Sequence, residues 1–386
     1  SKRSSSHEEA PDSTGINESE QTKPQVKRTK LNDGGIGNNS LALSTNVQSL
    51  NNQLTFLPNH QRKIKSQLSA PEISLLGHEG AIYSIDFDPS GNHLCSSSMD
   101  RQIFLWNVLG ENENYNVLRG HKNAVIQVQW YTAGSILSAS ADKTVAIWDA
   151  NRGNRIRKFT EHTAIVNTCA AARDNELRIA SGSDDCTAIL WDPRTKNSIE
   201  TIYHDYQLCS VTFSHDGNFL FTAGIDNIIR RFDTRMIKDD TPDLTLIGHQ
   251  DTVTGLALSP DSNSLVSNSM DCTLRVWNVR PFAATNISTQ TSHLVKDDSQ
   301  RCERILSGVH HGAEKLLLRC AWSRDGDYIT AGSADRIVHL WETTNYTEVC
   351  GWAGHKASVN TVLVHPDQPI IASCSSDRTI LLGEFS

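Results

Sequence analysis

The sequence predicts an all-β fold: seven similar blades of short strands closed into a ring, behind a polar N-terminal tail. The first observation is a recurrence. Gly120-His121, Ser138, Asp142 and Trp148-Asp149 form one unit; His78/Asp100/Trp106, His162/Asp185/Trp191 and His249/Asp271/Trp277 repeat it at matching spacing. Self-similarity at a period of about 40–45 residues marks stacked units that bury a core only against their neighbours. The second observation is the pattern inside each unit. Residues 81–86 alternate, Ser90-Gly91 supplies a turn, and 93–97 and 103–107 read as second and third strands. The third lies at the ends. The last third strand, 380–385, runs into the C-terminus without an outer strand, while 73–76 is a spare strand before the first unit. Pairing the two closes the ring and removes the exposed edges of an open array.

A fourth strand follows each Trp position, at 117–118, 156–159, 199–202, 244–247, 305–306 and 349–351. Three units are worn. In the fourth, Tyr203 replaces the Gly before His204 and Phe232 replaces the Trp. In the sixth, Asp335 and Trp341 are intact, Ala331 stands where a Ser is expected, and His311 rather than His310 is taken as the repeat histidine. The seventh keeps His355, Ser373 and Asp377 but has Gly383 at the Trp position. The interval from Asp271 to Asp335 is the longest. Its excess falls in a polar Ser/Thr/Asp-rich stretch at about 283–301, read as a flexible inserted loop.

Residues 1–70 are rich in Ser, Asn, Gln, Lys and Glu and lack periodicity, so they cannot bury enough apolar surface to offset chain entropy and are expected to be disordered. Within them, Lys23-Pro24-Gln25-Val26-Lys27-Arg28-Thr29-Lys30 reads either as a nuclear-import cluster or as solvated tail charge. The domain division is therefore 1–70 as tail and 71–386 as ring. Net charge is −8, which argues against a dedicated nucleic-acid binder. Nine cysteines, an odd number with no C-x-x-C spacing, argue against a disulfide framework or zinc site and favour a reducing compartment. No apolar run is long enough to cross a bilayer as a helix, and none near Ser1 resembles a signal-peptide core. Phosphate-loop, nucleophile-elbow and H-E-x-x-H motifs are missing, so no cofactor, metal or catalytic residue is expected.

With these residues in view, the chain resembles the WD-repeat family, and a seven-bladed WD40 β-propeller is the expected architecture. In that family the His, the Ser/Thr, the Asp and the Trp of a blade form a hydrogen-bonded tetrad. The resemblance implies His78/Ser96/Asp100/Trp106, His121/Ser138/Asp142/Trp148, His162/Ser181/Asp185/Trp191 and His249/Ser267/Asp271/Trp277, with His204/Thr222/Asp226/Phe232 lacking only the indole donor. A His-Ser-Asp set invites a catalytic reading. Repetition blade after blade argues instead for mutual satisfaction of buried polar groups, because an enzyme needs one such set in one pocket.

Function is then expected on surfaces. On the face that carries the turns before each tetrad Asp stand Met99 and Met270, whose thioethers suit adaptable protein contacts. On the opposite face, Arg194, Arg235 and Arg280 follow the Trp position at one offset. They resemble the WDxR motif by which some propellers dock on the adaptor of cullin-RING ubiquitin ligases, or else they brace their own turns. Runs such as Ile103-Phe104-Leu105-Trp106-Asn107-Val108, Val279-Arg280-Pro281-Phe282-Ala283, Leu317-Leu318-Arg319-Cys320 and the closing Gly383-Glu384 resemble the WD-repeat subunits of the U5 small nuclear ribonucleoprotein (U5 snRNP) in the spliceosome. That resemblance implies a nuclear, non-enzymatic scaffold in pre-mRNA splicing. It would be a monomer docked on the large central U5 protein, pre-mRNA-processing-splicing factor 8, near the U5 GTPase and helicase, with RNA contact at most indirect or peripheral. The alternative is a substrate receptor of a cullin-RING ligase.

Overall fold

In a computed structural model, which describes residues 66–173, 178–237, 240–281 and 301–385, the repeat pattern becomes seven four-stranded antiparallel sheets. Each is a blade, and six of them run from an inner to an outer strand in chain order. Blade one comprises Ile82–Phe87, His93–Ser98, Gln102–Asn107 and Asn114–Arg119. The closing blade takes Val359–Val364, Ile370–Ser375 and Thr379–Glu384 from the C-terminus and Glu72–Leu76 from the start of the ring, with Glu72 opposite Gly383 and Leu76 opposite Thr379. The expected closure is the one observed. Residues 1–65 and the expected insert at 283–300 lie outside the described residues. Residues 66–70, read from sequence as the end of the tail, pack on the ring: Leu68 is buried in the core between blades seven and one, and Ser69 Oγ donates to Asn112 Oδ1 at 3.0 Å.

Each blade offers two half-apolar faces, so the core is divided among seven seams between neighbouring blades. The seam between blades one and two is typical: Cys95, Leu105 and Leu118 meet Val125, Val128, Trp130 and Ala146. Opposite Trp106, Trp148, Trp191, Trp277 and Trp341 the outer strand carries one extra residue, a bulge that bends that strand beside the indole.

The inner strands would leave unpaired edge amides and carbonyls around the axis, and polar side chains reach across to neighbouring blades to satisfy them. Trp130 N donates to Asp86 Oδ2 at 2.7 Å, Ala171 N to Gln129 Oε1 at 2.9 Å, Val211 N to Thr168 Oγ1 at 3.1 Å and Leu256 N to Ser210 Oγ at 3.0 Å. Thr361 Oγ1 completes the circuit by donating to Tyr83 O at 3.1 Å. These contacts surround an axial cavity of about 180 Å³.

Candidate functional site

Four blades carry the full expected tetrad. His Nδ1 faces the Asp at 2.7, 3.0, 2.9 and 2.8 Å in blades one, two, three and five. In the same blades His Nε2 faces the Ser hydroxyl at 2.8, 2.8, 2.7 and 2.7 Å. Trp Nε1 donates to that hydroxyl oxygen at 2.9 Å in blade one and 2.8 Å in the other three. Donor logic fixes the arrangement: Nδ1–H donates to the carboxylate, the Ser hydroxyl donates to Nε2, and the indole N–H fills the Ser lone pair. Ser96, Ser138, Ser181 and Ser267 are wholly buried. A nucleophile needs an approachable oxygen, and here every Ser oxygen is shielded and occupied.

The sequence reading missed a fifth member of the brace. Thr144, Thr187, Thr273 and Thr379, each two residues after the Asp, donate to Asp Oδ1 at 2.5, 2.5, 2.6 and 2.6 Å. The Asp-x-Thr spacing was the available signal. Burial pushes these carboxyls up, but the His and Thr hydrogen bonds and a backbone amide outweigh it. Asp142, Asp185, Asp271 and Asp377 are therefore held well below the usual carboxylate range.

The worn blades depart from expectation. In blade four the loss goes beyond the indole. Arg230 takes Asp226 in an ion pair, while His204 Nε2 and Thr222 Oγ1 are buried without partners; burial lowers the His204 pKa to about 4. In blade six His311 is not the repeat histidine, because its Nε2 faces Asn268 Oδ1 at 3.2 Å. Asp335 instead bonds His339 Nε2 at 2.9 Å, and His339 Nδ1 reaches Glu348 at 2.7 Å. The Gly-His counterpart is Gly308-Val309. A Cβ on Gly308 would lie 4.0 Å from the Trp341 ring, as one on Gly120 would lie 3.2 Å from Trp148, and Val309 is buried where an imidazole sits elsewhere. In blade seven His355 bonds Asp377 at 3.1 Å and Ser373 at 2.8 Å. The missing Trp is replaced from next door: Trp352, on the outer strand of blade six, occupies the space beside Gly383, where a Cβ would meet its ring at 2.3 Å.

The surface residues divide by role. Met99 is largely exposed and Met270 half-buried. Arg194 and Arg235 close onto their own turns, with Nη2 at 2.8 Å from Asp192 and 2.6 Å from Asp233. Arg280 is exposed; its N–H donates to Asn278 Oδ1 at 3.1 Å and its carbonyl accepts from Arg301 at 2.8 Å. Sequence spacing gave no role to Arg319. From blade six its Nη2 crosses the axis to Asn167 O at 2.6 Å and its Nη1 to Cys209 O at 3.4 Å, tying three blades together at one end of the cavity. Deeper in the cavity, burial raises Asp86 to about 7 against the opposing Trp130 amide and the Arg173 charge.

The WD domain, G-beta repeat model matches seven times, at residues 69–107, 112–149, 153–192, 196–233, 240–278, 301–342 and 347–382. The chain belongs to the WD-repeat family. It is 43% identical over 322 residues to the U5 small nuclear ribonucleoprotein 40 kDa protein of Dictyostelium discoideum, covering 83% of this chain and 86% of that one. The human protein of the same name is 45% identical over 321 residues, covering 83% and 85%. Pre-mRNA-splicing factor cwf17 of Schizosaccharomyces pombe is 40% identical over 322 residues, covering 83% and 89%. As a WD-repeat chain of this branch, the protein is a non-catalytic scaffold, in keeping with the shielded serines of its braces.

Proposed function

We propose that this WD-repeat protein is a nuclear scaffold of the U5 snRNP in pre-mRNA splicing, docked on the large central U5 protein, pre-mRNA-processing-splicing factor 8, beside the U5 GTPase and helicase. The observation that supports it is identity of 40–45% over 83% of the chain to proteins named for that particle and for splicing. The fold supplies what a scaffold requires. Seven blades closed into one ring hold two faces and a rim, so several partners can be presented in fixed relation. Its interactions are with proteins, RNA contact is at most indirect or peripheral, and it enters the particle as one copy. In the N-terminal sequence the Lys27-Arg28-Lys30 cluster serves import.

The test is affinity purification of the tagged chain from nuclear extract in gentle salt. U5 RNA and the large U5 proteins should be recovered together, and recovery of neither would overturn the proposal. The cullin-RING reading draws on Arg194, Arg235 and Arg280, and the guanidinia of the first two are engaged by Asp192 and Asp233 of their own turns. Binding of a purified cullin adaptor, lost in Arg194→Ala with Arg235→Ala, would revive it.

A further inference from the structure

One face of the ring is divided into two halves of opposite character. In every blade the residue after the tetrad-position Asp has a left-handed backbone: Arg101, Lys143, Cys186, Asn227, Cys272, Arg336 and Arg378, with φ between 62° and 73°. Side chains other than Gly, Asn and Asp rarely take this region, and doing so costs roughly 1 kcal/mol. Blade four uses the ordinary choice, Asn227. The four basic residues fall on blades six, seven, one and two, which are consecutive around the ring. Lys315, Lys356 and Lys122, in the loops that enter blades six, seven and two on the same face, extend the set. All seven cations are exposed, and none forms an ion pair among the described residues. Glu314, in the loop entering blade six, and Glu79, in the loop entering blade one, are exposed carboxylates on the same arc.

The corresponding positions of blades three, four and five hold no cation. Cys186, Asn227 and Cys272 follow the Asp, and Thr163, Asp205 and Gln250 follow the His. Asp184 and Asp251 add negative charge, and Ile165, Tyr206 and Ile225 are exposed beside them. Basic residues are thus held at strained positions along one contiguous arc and replaced along the other. The left-handed backbone is common to all seven blades; what clusters is the basic side chain, carried at that position on blades six, seven, one and two.

We propose that the arc formed by Arg336, Arg378, Arg101 and Lys143, with Lys315, Lys356 and Lys122, is a docking surface for an acidic segment of a protein partner. Complementary charge steers encounter and fixes orientation. A protein segment fits better than RNA for two reasons. Single-stranded RNA is gripped by stacking its bases on aromatic rings. The exposed ring of Tyr206 lies in the half that carries Asp184, Asp205 and Asp251, where phosphates are repelled. A polypeptide can instead lay carboxylates along the arc and apolar side chains against Ile165, Tyr206 and Ile225.

The test needs no spliceosomal component, so its outcome is separate from that of the splicing assignment. Binding of a fluorescent Glu/Ser-repeat peptide to the full chain is measured by anisotropy, beside an oligo-uridine of equal charge. The variant is Arg101→Asn with Arg336→Asn and Arg378→Asn, since Asn accepts the left-handed backbone, as at position 227. Arg194→Asn with Arg235→Asn on the opposite face is the control. The peptide should bind in a salt-sensitive manner, weaken about tenfold in the triple variant and be unchanged in the control. Three results would overturn the proposal: no peptide binding by the unmutated chain, equal binding by the triple variant, or tighter oligo-uridine binding that the same substitutions abolish.

Discussion

Removing the carboxylate of Asp142 is the sharpest perturbation of a blade's brace. The side chain is 5% exposed and accepts from His121 Nδ1 at 3.0 Å, Lys122 N at 2.9 Å and Thr144 Oγ1 at 2.5 Å. In Asp142→Ala, Lys122 N lies at the surface and can turn to water, and the Thr144 hydroxyl can rotate. His121, 1% exposed, cannot, and is left with a buried N–H unsatisfied. One such orphan costs about 1–3 kcal/mol. Asp335→Ala in blade six should cost less. Asp335 is 19% exposed, and its partner His339 keeps Glu348 at 2.7 Å on the other nitrogen. Urea unfolding followed by tryptophan fluorescence measures both, the midpoint falling at unchanged slope. Equal shifts, or a larger shift for Asp335→Ala, would refute the account of what each carboxylate does.

Other outcomes follow from the same contacts. Gly383→Ala places a methyl 2.3 Å from the Trp352 ring and should destabilise by about 1–3 kcal/mol; adding Trp352→Leu should recover much of that loss, and additive losses in the double-mutant cycle would contradict the swapped indole. Arg319→Met should be tolerated better than Arg319→Lys, because Met relieves a buried charge while Lys keeps a charge without the two-armed reach to Asn167 and Cys209; equal unfolding midpoints for Arg319→Lys and the parent would refute the spoke. Burial lowers His204 and His311 to about 4 from an unfolded value near 6.5. The unfolded chain therefore binds more protons between those values, so their contribution is complete above about pH 6.5 and is lost as pH falls toward 4. His204→Leu should flatten that part of the stability profile, and an unchanged slope would count against buried neutral His204.

Much of this was legible in the sequence, because a repeat displays its own rule. Fixed spacing located four tetrads, the Ala331 that replaces a Ser in blade six, and the spare strand at 73–76 that closes the ring. What spacing could not show is competition. Arg230, four residues after Asp226 and in the strand that follows it, takes the carboxylate in place of His204; nothing in the period announces that. The loop entering blade six shifted the Gly-His position to Gly308-Val309, which hid behind the more conspicuous His310-His311 pair. Trp352 and Arg319 act across blade boundaries, where sequence distance carries no signal. The divided charge of one face became visible only once the seven left-handed residues could be placed around the ring in order.

Direct association with the large central U5 protein is the claim on which the functional account turns. The full chain and purified pre-mRNA-processing-splicing factor 8, mixed without other U5 components or RNA, should elute together from size exclusion as a one-to-one complex. Separate elution of two folded proteins at micromolar concentration would contradict it.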